Sequence, residues 1–218
     1  MFAAVCVFVI IMIIYYWSTA RARVYASRRD WNMVGGFENK KEAAELLARA
    51  HGRIIDLMRF LKKKYHIDET DDIIASEPDH AIAVTRPNDL YNMVDHLLDN
   101  YDPDAIYETD NRYTTATSWT IGKGAETYLC LRDKSDPSKL VDENVLVFTM
   151  LHEISHIANY RGMQHDEQFW TVFKWIIYEA TLAGVYVAED YRARPVVFCG
   201  LTIPYQPLFD TGLKKIWE

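Results

Sequence analysis

Cysteine is scarce in this sequence: 218 residues hold three, Cys6, Cys130 and Cys199. So few exclude the disulfide framework of a small secreted scaffold and fit a set kept reduced, with one bridge between Cys130 and Cys199 left open if the body faces an oxidising compartment. Glycine and proline number only 9 and 7, and neither an internal repeat nor a low-complexity stretch is visible. Positive charge is also short, 24 Lys and Arg against 31 Asp and Glu, for a net charge of −7. A disordered chain is excluded by the 13% of aromatic residues and the ordinary 25% of charged ones. The length accommodates one domain or two small ones.

The charge is unevenly spread. Met1 to Trp17 are all hydrophobic, and the first charge is Arg21. As a helix rising about 1.5 Å per residue, residues 1–20 span roughly the 30 Å hydrocarbon core, which predicts a transmembrane anchor that contacts membrane lipid. A cleaved signal peptide is the rival, but a basic start and a clear small-residue cleavage site are both missing. Tyr15, Tyr16 and Trp17 stand where an interfacial aromatic belt would be, followed by Arg21, Arg23, Arg28 and Arg29. The positive-inside rule then places the body on the cytoplasmic side. Residues 21–36 read as a basic juxtamembrane linker and 37–218 as the folded domain. Beyond residue 30 there remain 20 basic and 30 acidic side chains, a net −10. Such a body is a poor match for nonspecific phosphate-backbone binding, so nucleic acid is not an expected partner.

Within the body, apolar residues from Leu46 to Leu61 recur at helical spacing and predict a long helix over 38–65, with Lys62 to Lys64 as its solvated end. Residues 68–88 read as a loop with one short strand at 81–84, and 89–101 as a second helix. A hairpin over 118–131 turns at Gly122-Lys123-Gly124. An apolar helix follows, capped at Asp142 and stopped by Gly162, and another begins near Asp166 and ends before Gly184. A short strand is expected at 196–199 in an otherwise irregular tail. The expected class is therefore α+β, with an N-terminal transmembrane helix.

The informative stretch runs from His152 to Trp170. His152 and His156 are four residues apart, so on a helix both imidazoles leave one face and can hold one metal ion. Glu153 lies beside them, able to accept a proton from metal-bound water, which is the HExxH arrangement. His165, after the break at Gly162, supplies a third nitrogen. Three protein ligands and one water make the open site of a catalytic Zn2+. Glu179 and Glu189 stay as rivals for the third place. Tyr191 and Tyr205 are candidates to stabilise an oxyanion, unmarked by spacing among 14 tyrosines.

His152-Glu153-x-x-His156, followed by His165-Asp166-x-x-Phe169-Trp170, resembles the WLM and SprT-like zinc metallopeptidases. The strand from Tyr128 to Arg132, the Asp142-Glu143-Asn144 helix start and Phe198-Cys199-Gly200 are similar to membrane-anchored WLM-type proteins of large nucleocytoplasmic DNA viruses. The resemblance covers about residues 110–205 and implies a minimal zincin-like domain with His152, His156 and His165 on zinc and Glu153 as general base. The interval from His156 to His165 exceeds the metzincin spacing, and no Met-turn sequence is evident. Hydrolysis of a protein or peptide substrate is the implied activity, with residues 127–131 as the edge strand that receives it. Two other functions stay open: a structural or scaffolding membrane protein that retains the fold, and a repair protease for proteins crosslinked to DNA, against which the −10 body speaks. Oligomeric state is not legible.

Overall fold

The structure, a computed structural model, describes residues 22–26, 29–33, 38–65, 89–109, 117–162 and 165–217. In chain order these form β1 (Ala22–Ala26), β2 (Arg29–Met33), α1 (Lys40–Tyr65), α2 (Asp89–Asn100), β3 (Ile106–Glu108), β4 (Trp119–Ile121), β5 (Glu126–Leu129), α3 (Glu143–Ala158), α4 (Glu167–Leu182), β6 (Val196–Phe198) and β7 (Leu201–Ile203), with a 3-10 turn at Pro207–Phe209. The mixed α and β content agrees with the expected class. The expected anchor at 1–20 and strand at 81–84 lie outside the described residues, among which no helix is long and apolar enough to cross a membrane.

Helices α1 to α4 all contribute to the core. In α1 the residues Leu47, Ile54, Leu57 and Leu61 are fully buried, facing α3 and α2. A fully buried side chain of this size contributes about 1.5–3 kcal/mol, so this one stripe holds the helix in place. The last turn of α1 departs from the expected solvated end: Lys64 donates to both oxygens of the buried Glu179 at 2.9 and 2.8 Å, and Tyr65 donates to one of them at 2.6 Å. A carboxylate sunk in α4 requires such partners.

α3 is the central element. Asp142 caps it by accepting from the backbone N–H groups of Asn144 and Val145. From Val145 to Ala158 every residue is buried except His152 and His156. A helix apolar on nearly every face belongs in the core, and its one open stripe carries the two histidines. Asp166 caps α4 in the same way, through the N–H of Phe169.

The five-stranded sheet has the order β1-β2-β3-β5-β4. β5 therefore runs inside the sheet, parallel to β3 and antiparallel to β4, and is not the edge strand expected at 127–131. Its backbone groups are taken on both sides, so among the described residues the edge at this end of the sheet is β4. Within the stretch expected to be a linker, β1 and β2 form an antiparallel pair that joins the sheet where Asn32 faces Tyr107. Ladder pairing there satisfies backbone groups that a linker would leave to water.

Cys130 and Cys199 form a disulfide with a Cα–Cα distance of 6.4 Å. This corrects the reading of the cysteines as a reduced set: the fold brings the residue after β5 against the β6–β7 turn, 69 positions away in sequence.

Candidate metal centre

The rigid frame of α3 and α4 delivers three imidazoles to one point. The Nε2 atoms of His152 and His156 are 3.2 Å apart, those of His156 and His165 3.1 Å, and those of His165 and His152 2.9 Å. Neutral imidazoles carry one N–H each and cannot fill such a triangle with good mutual hydrogen bonds. A tetrahedral ion with metal–nitrogen bonds of about 2.05 Å separates its nitrogens by about 3.3 Å, close to the observed spacing, so the donor set fits one zinc-sized ion.

Packing explains why the rings hold this arrangement. Phe169, fixed by the Asp166 cap, stacks on His156 at 4.2 Å and meets His165 and His152 edge-on at 4.7 and 5.0 Å. Phe173 abuts His152 from the same helix face at 5.2 Å. Trp170 donates its indole N–H to the His165 carbonyl at 3.1 Å, which fastens the third imidazole to α4. The aromatic pair after His165 is thus the support of the donor set.

Electrostatics favours ligand-ready nitrogens. Burial, followed by the charges of His156 and His165, lowers the His152 pKa to about 3. Burial also leads in lowering His156 to about 4, with smaller contributions from His165 and Lys123. For His165 burial moves the pKa in the same direction. All three imidazoles are therefore neutral at pH 7, the form that binds metal. Glu153, 5% exposed, is pushed up to about 8 by burial. A bound cation nearby would favour its carboxylate form.

The histidines and Glu153 line a cleft with two unlike ends. One runs along Ser118, Trp119, Thr120 and Lys123 to Gly162. In the other, Phe148, Phe173, Phe198, Ile203 and Tyr205 dominate. β4 borders the first end, so the hairpin arm beside the site is the one at the edge of the sheet among the described residues. Its turn is seated by Gly124 at φ 115, where a Cβ would collide with the Asn100 carbonyl, so only glycine fits.

The rival ligands are not at the centre. Glu179 is engaged by Lys64, Tyr65 and Trp175, and Glu189 pairs with Arg194 at 3.6 Å. Tyr191 is buried against the Tyr186 hydroxyl, whereas Tyr205 reaches the cleft with its hydroxyl donating to Asp210 at 2.8 Å. Lys123, Trp170 and the β6–β7 wall were not singled out as site residues by sequence reasoning. The Gly-Lys-Gly turn and the aromatic pair were the available signals.

A buried helix presenting two histidines and a glutamate, a third histidine before the next helix, and a strand edge beside them make a zinc-protease-like arrangement. The WLM domain family matches residues 99–193, which contain all four of these side chains. Over these residues the chain is similar to WLM domains, and two of its relatives are proteins of large DNA viruses. Uncharacterized protein R325 of Acanthamoeba polyphaga mimivirus is 27% identical over 173 residues, 78% of this chain and 76% of that protein. Uncharacterized protein 136R of Invertebrate iridescent virus 6 is 36% identical over 70 residues, 32% of this chain and 38% of that protein. Among solved structures, Wss1 from Saccharomyces cerevisiae is similar with a TM-score of 0.35 at 20% identity, over 50% of this chain and 84% of that chain.

Proposed function

We propose that this chain is a zinc-dependent peptidase, with His152, His156 and His165 as the metal ligands and Glu153 as the general base. The convergence of three neutral imidazole nitrogens within 3.2 Å of one another, beside a buried carboxyl group in an open cleft, carries this reading. A zinc ion there would supply Lewis acidity, which brings the pKa of bound water toward about 7 and polarises a carbonyl. Glu153 takes the proton from the attacking water and returns it to the leaving amine. The edge of β4 offers backbone N–H and C=O groups to an extended peptide, aligning it across the histidines. Phe169 and Phe173 shield the imidazoles from water on the core side.

Metal analysis of the full chain tests the ligand set: wild type should hold about one zinc and His165→Ala should lose most of it. Glu153→Gln should retain the metal and abolish cleavage of an unfolded protein. Equal cleavage by the two proteins would eliminate the general-base role. The uncharged residues 1–20 support tethering of the activity to a membrane. Release of the full chain by detergent and not by alkali is the expected behaviour, and release by alkali alone would exclude an integral anchor.

A further inference from the structure

We propose that the apolar end of the cleft is a specificity pocket for one large apolar side chain, aromatic or branched aliphatic, on the substrate residue bordering the scissile bond. This rests on the peptidase reading above. The cavity has a volume of about 420 Å³, ample for a Phe, Leu or Trp side chain. Its inner wall is His152, Glu153 and His165. A substrate side chain that enters it must therefore belong to a residue next to the reacting bond. Its larger side walls are Phe148 of α3, Trp170 and Phe173 of α4, and residues of the segment from Phe198 to Tyr205, with the uncharged Thr117, Ser118 and Thr149 completing the lining.

Chemistry narrows the occupant. Among the described residues, and apart from Glu153 and the histidines, the one ionisable group lining the cavity is Tyr205, whose pKa is pushed up to about 12 and which stays neutral. A Lys, Arg, Asp or Glu of the substrate would lose hydration there without finding a partner at the far wall. An apolar side chain gains instead, by leaving water. The opposite end of the cleft has Lys123 and Thr120 among its lining groups, so the two sides of the scissile bond meet different chemistry.

The pocket is also built to keep its shape. Its outer wall is the β6–β7 hairpin, whose turn residue Cys199 is bonded to Cys130 beside the central sheet. Tyr205 packs edge-on against Trp170 at 5.2 Å while its hydroxyl is held by Asp210. This wall lies beyond residue 193, where the WLM match ends.

The test uses zinc-loaded full chain and matched peptides that carry Phe, Leu, Gly, Asp or Lys at one or the other position flanking the scissile bond. At one of the two positions, Phe and Leu should exceed Gly by about tenfold or more in kcat/KM, with Asp and Lys below Gly. Ile203→Lys, with zinc content as the check on folding, should reverse the order so that Asp exceeds Phe. Binding of the same peptides to Glu153→Gln, followed by fluorescence anisotropy, should show the same preference without turnover. Cleavage indifferent to the side chain at both positions would overturn the pocket and leave the peptidase reading standing. Selective binding of the Phe peptide without any cleavage by wild type would support the pocket and overturn the peptidase reading. Absence of both would overturn both. If Ile203→Lys fails to fold, the wild-type series decides alone.

Discussion

At one end of the cleft the β4–β5 hairpin is tied to the turn after α3 by Lys123; at the other, the β6–β7 hairpin is tied to the strand region after β5 by a disulfide. The three histidines between them are carried by α3 and by the residue before the α4 cap, His152 and His156 half-buried on a helix of the core and His165 exposed. Either hairpin can thus be loosened without dispersing the metal donors. Substrate alignment, side-chain selection and metal binding then become separable properties of one site. Each can be attacked by a different substitution.

The largest effect should come from the disulfide. Replacing Cys130 and Cys199 together by Ser removes a cross-link over 69 positions, which costs about 4 kcal/mol of stability on a chain-entropy estimate. Urea unfolding of the zinc-loaded chain measures it. The same variant should keep its zinc and its rate on the Gly peptide while losing most of the Phe-over-Gly preference. Undiminished preference would show that the hairpin holds its place without the bridge.

That bridge also marks where sequence reasoning stopped. The helices and their caps were legible because Asp142, Asp166 and the apolar periodicity act within a few residues. The spacing of His152 and His156 is equally local. The identity of the edge strand was not legible, because it depends on β3, a three-residue strand with too short an alternation to detect, pairing in parallel with β5. The fate of Glu179 depended on Lys64 and Tyr65, over a hundred residues earlier. Both the pairing of Cys130 with Cys199 and the pocket wall are tertiary in the same sense.

Next in size is a change at the junction of the two ends. Trp170→Phe deletes the indole N–H that holds the His165 carbonyl while retaining an aromatic ring in the pocket. Supports of this kind affect metal affinity by tenfold or more, so zinc affinity should fall about tenfold in competition with a chelator. The Phe-over-Gly ratio of the reloaded protein should change little. A loss of selectivity with unchanged affinity would assign Trp170 to the pocket rather than to the ligand.

The smallest effect should appear at the polar end. The Lys123 ammonium donates to the Tyr160 carbonyl at 2.9 Å and approaches those of Gly162 and Asn159 at 3.4 and 3.5 Å. These carbonyls belong to the turn that follows α3, near its negative end, where a cation is favoured by both hydrogen bonding and the helix dipole. Lys123 sits at φ 52, so Lys123→Met keeps the backbone cost and most of the side-chain bulk and removes only the charge and its donors. Stability should fall by about 1 kcal/mol in urea unfolding. Because β4 grips the peptide backbone rather than any one side chain, KM should rise a few-fold for Phe and Gly peptides alike, with zinc content and kcat retained. A drop in the Phe-over-Gly ratio matching that of the cysteine variant would mean that the two hairpins move as one body, and the division of labour across the cleft would be lost.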